Sequence, residues 1–243
     1  MIKVDITMTA VLRPKILDGT LKNIVKYVVD NPDRFRLILN IDPVGESIKS
    51  KNVLKVATRY FSNVIFNVPN EPSFPKAVKW VWEHSDAPFV FHWEDDVNIL
   101  RKINIKHMID ILNKYEDLSS LRLYKDRIPR KQSFKTFSCI WKYYDEGFYI
   151  ANDWQRQFGL NPILIKREFI DEAVTRMVDH VNPEKQFRST QKYMVPLIKK
   201  WKYGLYGKPG EYRLIDGRKG ESWKNKMNLR KPSKAKFLVW DKK

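Results

Sequence analysis

Residues 89–100 read Phe-Val-Phe-His-Trp-Glu-Asp-Asp-Val-Asn-Ile-Leu. An apolar run leads directly into three consecutive acids, Glu94, Asp95 and Asp96, and apolar chain resumes after them. A buried strand does not normally end in three carboxylates, because each costs several kcal/mol to desolvate without a partner. The partner that suits clustered oxygen ligands at a strand end is a divalent cation, Mg²⁺ or Mn²⁺, itself holding phosphates. The plain alternative is an acidic turn facing water, since short acidic clusters are common on surfaces. None of the histidines has ligand spacing: His92 falls in the apolar run, and His84, His107 and His180 fall in helical stretches.

The elements that must position these acids are legible in the periodicity. Strands are expected over residues 3–10, 34–41, 63–68 and 87–93, and helices over 21–30, 48–60 and 74–85. Arg13-Pro14 reads as loop, Asp18-Gly19-Thr20 as a turn that caps the first helix, and Asn31-Pro32-Asp33 as its stop. Repeated βα units at this spacing imply a parallel sheet with helices on both faces. Ligands bind such sheets at the carboxyl ends of the strands. Those ends are residues 9–13, 40–42, 68–71 and 94–96, so the acids stand where a site belongs. Beyond residue 100 a helix is expected over 104–115, strands over 120–124 and 160–165, a helix over 166–180 and another within 184–200. Residues 125–149, rich in bases and aromatics, show no clear period, and the chain after residue 203 reads as loop with one short strand.

The 243 residues carry 43% hydrophobic and 13% aromatic side chains, enough for a full core, so a wholly disordered chain is excluded. A single cysteine, Cys139, permits no internal disulfide and suits a reducing, cytoplasmic setting. No apolar run approaches the roughly 20 residues that span a bilayer, and the first residues lack a signal-peptide pattern, so no stable membrane insertion is expected. The net charge of +18 points to a polyanionic partner, nucleic acid or an anionic membrane surface, against a merely basic soluble protein. The charge is uneven. The end of the chain holds Arg218, Lys219, Lys224, Lys226, Arg230, Lys231, Lys234, Lys236, Lys242 and Lys243 against Glu221 and Asp241, with Trp223 and Trp240 interleaved.

The arrangement resembles the GT-A glycosyltransferases, nucleotide-sugar-dependent enzymes with one Rossmann-like αβα sandwich and a mostly parallel central sheet. It is most similar to the family-2-like, inverting members, including those of bacteriophages. Thr9-Ala10-Val11-Leu12-Arg13-Pro14 resembles the family's first loop, and Asn40-Ile41-Asp42 the acidic residue after strand two that contacts the nucleoside. Glu94-Asp95-Asp96 resembles the metal-binding DxD-type motif, with Glu at its first position. Residues 159–170 are similar to the segment that re-enters the sheet on the acceptor side. The likeness covers about residues 4–217. It implies one catalytic domain over 1–217, with a nucleotide-sugar half (1–100) and an acceptor half (101–217), followed by a basic C-terminal segment (218–243).

On that resemblance the donor is a nucleotide-sugar such as a UDP-sugar, and Mn²⁺ or Mg²⁺ is held by Asp96 and Glu94. Many GT-A enzymes add a late His ligand; here Asp216 stands in the comparable segment. Thr9, Arg13, Asp42, Glu94, Asp95 and a tail base, Arg218 or Lys219, are the candidate donor-binding residues. Asp42 is equally well read as a turn residue before Pro43. The general base that inversion requires is expected to be a carboxylate across the cleft. Glu184, at a helix start after Asn182-Pro183, is the first candidate and Asp153 the second, although a helix N-terminal Glu is commonly just a dipole partner.

The expected acceptor is a hydroxymethylated pyrimidine in phage DNA, flipped out of the duplex and met by Lys125, Arg127, Arg130, Lys131 and Lys135 with Phe134, Phe137, Trp141, Tyr143 and Tyr144. For a viral enzyme the setting would be the host cytoplasm. A cell-surface glycan or lipid-linked acceptor is the rival. A nucleic-acid-binding protein without chemistry also stays open, but it leaves the three carboxylates unexplained.

Overall fold

The fold is assembled on β1 (Val4–Leu12), which pairs in parallel with β2 (Arg36–Gly45) on one side and β4 (Phe89–Glu94) on the other. A strand covered on both edges and both faces is buried almost throughout, and β1 is buried from Val4 to Ala10. The computed structural model describes residues 3–124, 128, 140–152, 158–160, 162–211, 213–216, 229–230 and 241–242. Its central sheet has nine strands in the order β3-β2-β1-β4-β9-β6-β10-β8-β7. The remaining members are β3 (Asn63–Asn67), β6 (Leu118–Leu123), β7 (Trp141–Tyr144), β8 (Phe148–Ala151), β9 (Ile163–Lys166) and β10 (Lys202–Tyr206). Two of them, β8 and β9, run against the rest. A small antiparallel ribbon, β5 (Val97–Ile99) with β11 (Leu214–Asp216), lies beyond the end of β4. A second, β12 (Leu229–Arg230) with β13 (Asp241–Lys242), belongs to the C-terminal segment.

Helices cover both faces, as the βα pattern requires. On one face α1 (Pro14–Tyr27), α2 (Ser50–Tyr60) and α4 (Ile105–Lys114) bury Leu17, Leu21, Ile24, Val53, Ala57, Met108 and Leu112 in one core. On the other, α3 (Phe74–Glu83), α5 (Arg167–Val174) and α7 (Val195–Lys200) bury Val78, Trp82, Phe169, Ile170 and Leu197 in a second core. Among the described residues no helix is long and apolar enough to cross a membrane.

Several boundaries differ from the sequence reading. The first helix begins at Pro14, not residue 21. Proline's fixed φ and missing N–H suit a first helical position, so Pro14 opens the helix and the loop shrinks to Arg13. Strand β2 continues through Pro43 to Gly45. Its pairing with β3 ends at Asn40, and this leaves the proline's lost donor without consequence on that edge. Gly45 sits at φ +137°, and a Cβ there would come 2.8 Å from Leu12 O, so only glycine closes this pairing. The predicted helix over 166–180 stops at Val174. The chain beyond it is held by the Gln186 side chain, which accepts from Val178 N–H and donates to the Val178 and Val181 carbonyls. The helix expected within 184–200 is divided into α6 (Pro183–Gln186), a 3₁₀ turn at Lys192–Met194 and α7, with Pro196 in the first turn of the last. The aperiodic region contains the β7–β8 hairpin, turned at Gly147 with φ +89°. Among the described residues, the chain from 202 onward holds β10 and three short strands, where one is expected.

Candidate active site

The strand order reverses between β1 and β4: β2 and β3 lie to one side of β1, and the later strands lie beyond β4. In an open α/β sheet such a switch point leaves a crevice at the carboxyl ends, because the two connections depart in opposite directions. Arg13 and the acids meet there. Arg13 is the N-cap residue of α1, directly after β1, and Asp95 and Asp96 follow β4. The Arg13 Nη2 donates to Asp95 Oδ1, and Nη1 lies 3.5 Å from Asp96 Oδ2. The Val11 backbone N–H donates to Asp95 Oδ2 at 3.2 Å. All three charged side chains are nearly excluded from water, at 5% exposure for Arg13 and Asp95 and 11% for Asp96. Burial pushes the Asp95 carboxyl up to about 6, with Asp96 adding to the rise and Arg13 opposing it.

Thr20 fixes the backbone of the acidic turn. Its hydroxyl donates to Asp95 O at 2.7 Å and accepts from Val97 N–H at 3.2 Å. From sequence Thr20 reads as part of a turn that caps the first helix; it lies instead within α1, whose packing against β5 gives it this task. Thr9, also buried, pairs with Asn40 of β2 and closes the ladder with β4 opposite Glu94. Glu94 is half-buried at the last position of β4.

Asp42 lies on the neighbouring strand. It accepts from Asn40 Nδ2 at 2.8 Å, and burial pushes its carboxyl up to about 6 against the pull of Asn40 and the Ser73 backbone N–H. Asn40 in turn accepts from Asn67 Nδ2 at 2.7 Å. Asn40, Asp42, Asn67 and Ser73, together with Trp80 and Lys76 of α3, line a cavity of about 370 Å³. Asn67 was missed from sequence. Its signal is an asparagine at the last position of β3, level with Asn40 in the register of β2.

The metal ligands expected from sequence are brought near one another in part. The β5–β11 ribbon sets Asp216 opposite Val97, one residue after Asp96. The Asp216 side chain, Asp153 and Arg218 lie outside the described residues, as do Cys139 and the bases and phenylalanines expected on an acceptor face. Among the described residues no group of three or more His, Cys, Asp or Glu side chains is close enough to hold a metal. The donor set nevertheless suits a hard cation. Arg13 reaches two buried carboxylates, Asp95 and Asp96, and Mg²⁺-type ions are bound by one or two carboxylates plus substrate phosphates.

Glu184 stands in the first turn of α6 and accepts from the Leu160 backbone N–H at 2.9 Å. Leu160 precedes β9, whose first residue pairs with His92, so this carboxylate belongs to the same edge of the sheet as the acids. Arg122, near the end of β6, feels the Glu184 charge, while burial lowers its own pKa. His92 is fully buried in mid-sheet with Nδ1 3.0 Å from Thr7 Oγ1, and burial pushes it down to about 3. It is a core residue, as its place in the apolar run suggested.

No protein-family model matches the sequence, and no curated protein matches it. Solved structures do resemble it. The mannosyltransferase PcManGT from Pyrobaculum calidifontis, solved with GDP-Man and Mn²⁺, aligns with a TM-score of 0.62 at 10% identity, over 93% of this chain and 59% of that one. S. aureus TarS 1–349, solved with UDP-GlcNAc, aligns with a TM-score of 0.59 at 10% identity, over 91% and 60%. A further S. aureus TarS structure aligns at 0.57 and 8% identity, over 89% of this chain and 37% of that one. The chain thus spans less than two thirds of the length of each. At these identities the likeness speaks for architecture, and the chain has the GT-A fold of these glycosyltransferases.

Proposed function

We propose that the protein is a metal-dependent glycosyltransferase that moves a sugar from a nucleotide-sugar to an acceptor hydroxyl with inversion. One observation carries the reading: a buried Arg13–Asp95–Asp96 cluster at the switch point of a GT-A fold, beside a cavity of nucleoside size. Buried charge is costly and is retained where it has work to do. Asp96, with Glu94 and Asp216, would hold Mn²⁺ or Mg²⁺; when bound, the cation supplies neutralising charge to the diphosphate leaving group.

The chain's own residues do the remainder. Arg13 holds both acids in place and lowers the cost of keeping them ionised together. Asp42 and Thr9 receive the nucleoside, and Arg218 of the basic tail contacts the diphosphate. Glu184 removes the acceptor hydroxyl's proton through the carboxylate capacity that Leu160 does not engage, and Asp153 is the alternative base. The +18 charge supports a polyanionic acceptor, and a hydroxymethylated pyrimidine in DNA combines that charge with a free primary hydroxyl.

The test is calorimetric binding of UDP and GDP with and without Mn²⁺, followed by incubation of UDP- and GDP-sugars with hydroxymethylated and ordinary DNA and mass spectrometry of the nucleosides. Mn²⁺-dependent binding and a hexose or pentose mass increment on the modified base are expected. No binding of either nucleotide would overturn the enzyme reading. Binding with turnover of donor only on surface glycan or lipid-linked acceptors would overturn the DNA acceptor alone.

A further inference from the structure

Arg122 is a cation set into an otherwise uncharged row. The register aligns Ile163 of β9, Arg122 of β6, Leu205 of β10, Tyr149 of β8 and Tyr143 of β7 across five strands, so these side chains share one face. Leu121 and Leu123, on either side of Arg122, belong to the core on the opposite face. Strands β6 and β4 both run antiparallel to β9, so Arg122, next to last in β6, stands at the edge of the sheet where the acids lie. Its guanidinium carbon is 5.8 Å from the Trp141 ring centroid. Its tip rests against Gly159, where a Cβ would come 2.3 Å from Nη1. The next residue, Leu160, gives its N–H to Glu184, so the guanidinium and that carboxylate flank one short stretch of chain. Glu184 favours the charge on Arg122 while burial disfavours it. Among the described residues, however, no carboxylate pairs with Arg122 and no acceptor takes a hydrogen bond from it. Nε is cut off from water, whereas the half-buried side chain keeps its terminal nitrogens open to it.

A guanidinium stays charged at any pH the fold meets, and a desolvated cation without a counterion is costly. Packing alone would be served as well by an apolar side chain of the same length. Two terminal nitrogens left open in a fixed plane match the paired oxygens of a phosphate. Resting on the transferase reading above, we propose that Arg122 binds a phosphodiester of a nucleic-acid acceptor, next to the hydroxyl that Glu184 deprotonates. The chain's charge of +18 draws phosphate, and Tyr143, half-buried in the same row, offers a ring on which a base can stack. A neutral glycan would use neither. A contact of this kind carries no sequence information; it fixes which nucleotide of the strand stands before the carboxylate.

The experiment measures, by calorimetry in Mn²⁺ with UDP or GDP present, the affinity of the full chain for single-stranded trinucleotides with a central hydroxymethylated pyrimidine. One probe keeps both charged linkages, and two others each carry a neutral methylphosphonate in place of one linkage. A glycosyl phosphodiester serves as the rival ligand. The unmodified chain should lose about 30-fold in affinity for one replacement and little for the other. Arg122→Met should weaken the fully charged probe by a similar factor and erase the difference between linkages. Arg122→Lys should restore part of it, and Gly159→Ala, whose methyl displaces Nη1, should narrow it. UDP and GDP affinities should stay unchanged in all three variants. A purely structural role would weaken every probe together and leave the linkage preference intact. No binding of the charged trinucleotide, an unchanged preference in folded Arg122→Met, or tighter binding of the glycosyl phosphodiester overturns this inference and leaves the transferase reading standing. Failure of both UDP and GDP to bind the unmodified chain overturns both.

Discussion

Among the described residues, each end of β1 carries two aspartates and one arginine in contact, and the molecule treats the two groups differently. At the amino end Asp5 accepts from Arg36 Nη2 at 2.6 Å and Nε at 3.1 Å and from the backbone N–H groups of Asp86 and Ala87 at 3.0 and 3.1 Å. Its second acid, Asp86, is 78% exposed and Arg36 is 22% exposed. At the carboxyl end Asp95, Asp96 and Arg13 are all nearly buried. The first cluster is a clasp that ties β1, β2 and the start of β4 together, with surplus charge left in water. The second keeps all three charged groups out of water, which stability alone does not favour. Residue types are equal; burial and position at the switch point separate a fastening from a candidate site.

Removing one of the buried carboxylates should have the largest effect. Asp96→Ala is expected to lower Mn²⁺-dependent sugar transfer by about 10³-fold or more, of the order lost with a key electrostatic group. Donor turnover measured with a fixed acceptor reads this, and retained activity would end the metal assignment. Next is the guanidinium that balances the acids. Arg13→Met leaves two buried carboxylates without it and should cost about 3–5 kcal/mol in urea denaturation at pH 7.

Asp42→Asn should act in the opposite sense on stability. Its carboxyl is raised from 3.8 to about 6, so the folded state binds the proton more tightly than the unfolded chain. The penalty for ionising it in the fold is absent below about pH 4, grows between 4 and 6 and is complete above 6. The substitution should therefore stabilise by up to about 3 kcal/mol at pH 7, with the gain vanishing below pH 4, while UDP binding is lost. Denaturation curves across that range check the sign. The smallest effect is expected from Arg36→Met at the clasp. Asp5 keeps two backbone donors there, so a loss of about 1–2 kcal/mol with unchanged nucleotide affinity would sharpen the contrast.

Much of the first hundred residues was legible because each βα unit is a local pattern: apolar strands such as residues 36–41, then helices with one apolar face, separated by turn residues. Arg13, Asp42 and the Glu94–Asp96 triplet were legible too, since polar residues directly after apolar strands stand out. The second half was less so. Trp141–Tyr144 and Phe148–Ala151 are short aromatic strands around an Asp-Glu-Gly turn, and their period is too brief to stand out. The helices after residue 166 were cut short by contacts such as those of Gln186, which local propensity does not contain.

The sequence by itself determined the alternation of strands and helices, the two-faced burial and the presence of acids at a strand end, because these depend on hydrophobic spacing over a few residues. Only the tertiary structure decided that Arg13 reaches Asp95 across 82 positions, that Asp216 falls opposite Val97 and that Asn67 donates to Asn40. Those relations depend on strand order and register, which are set by the packing of the whole sheet at once and leave no trace in any single segment.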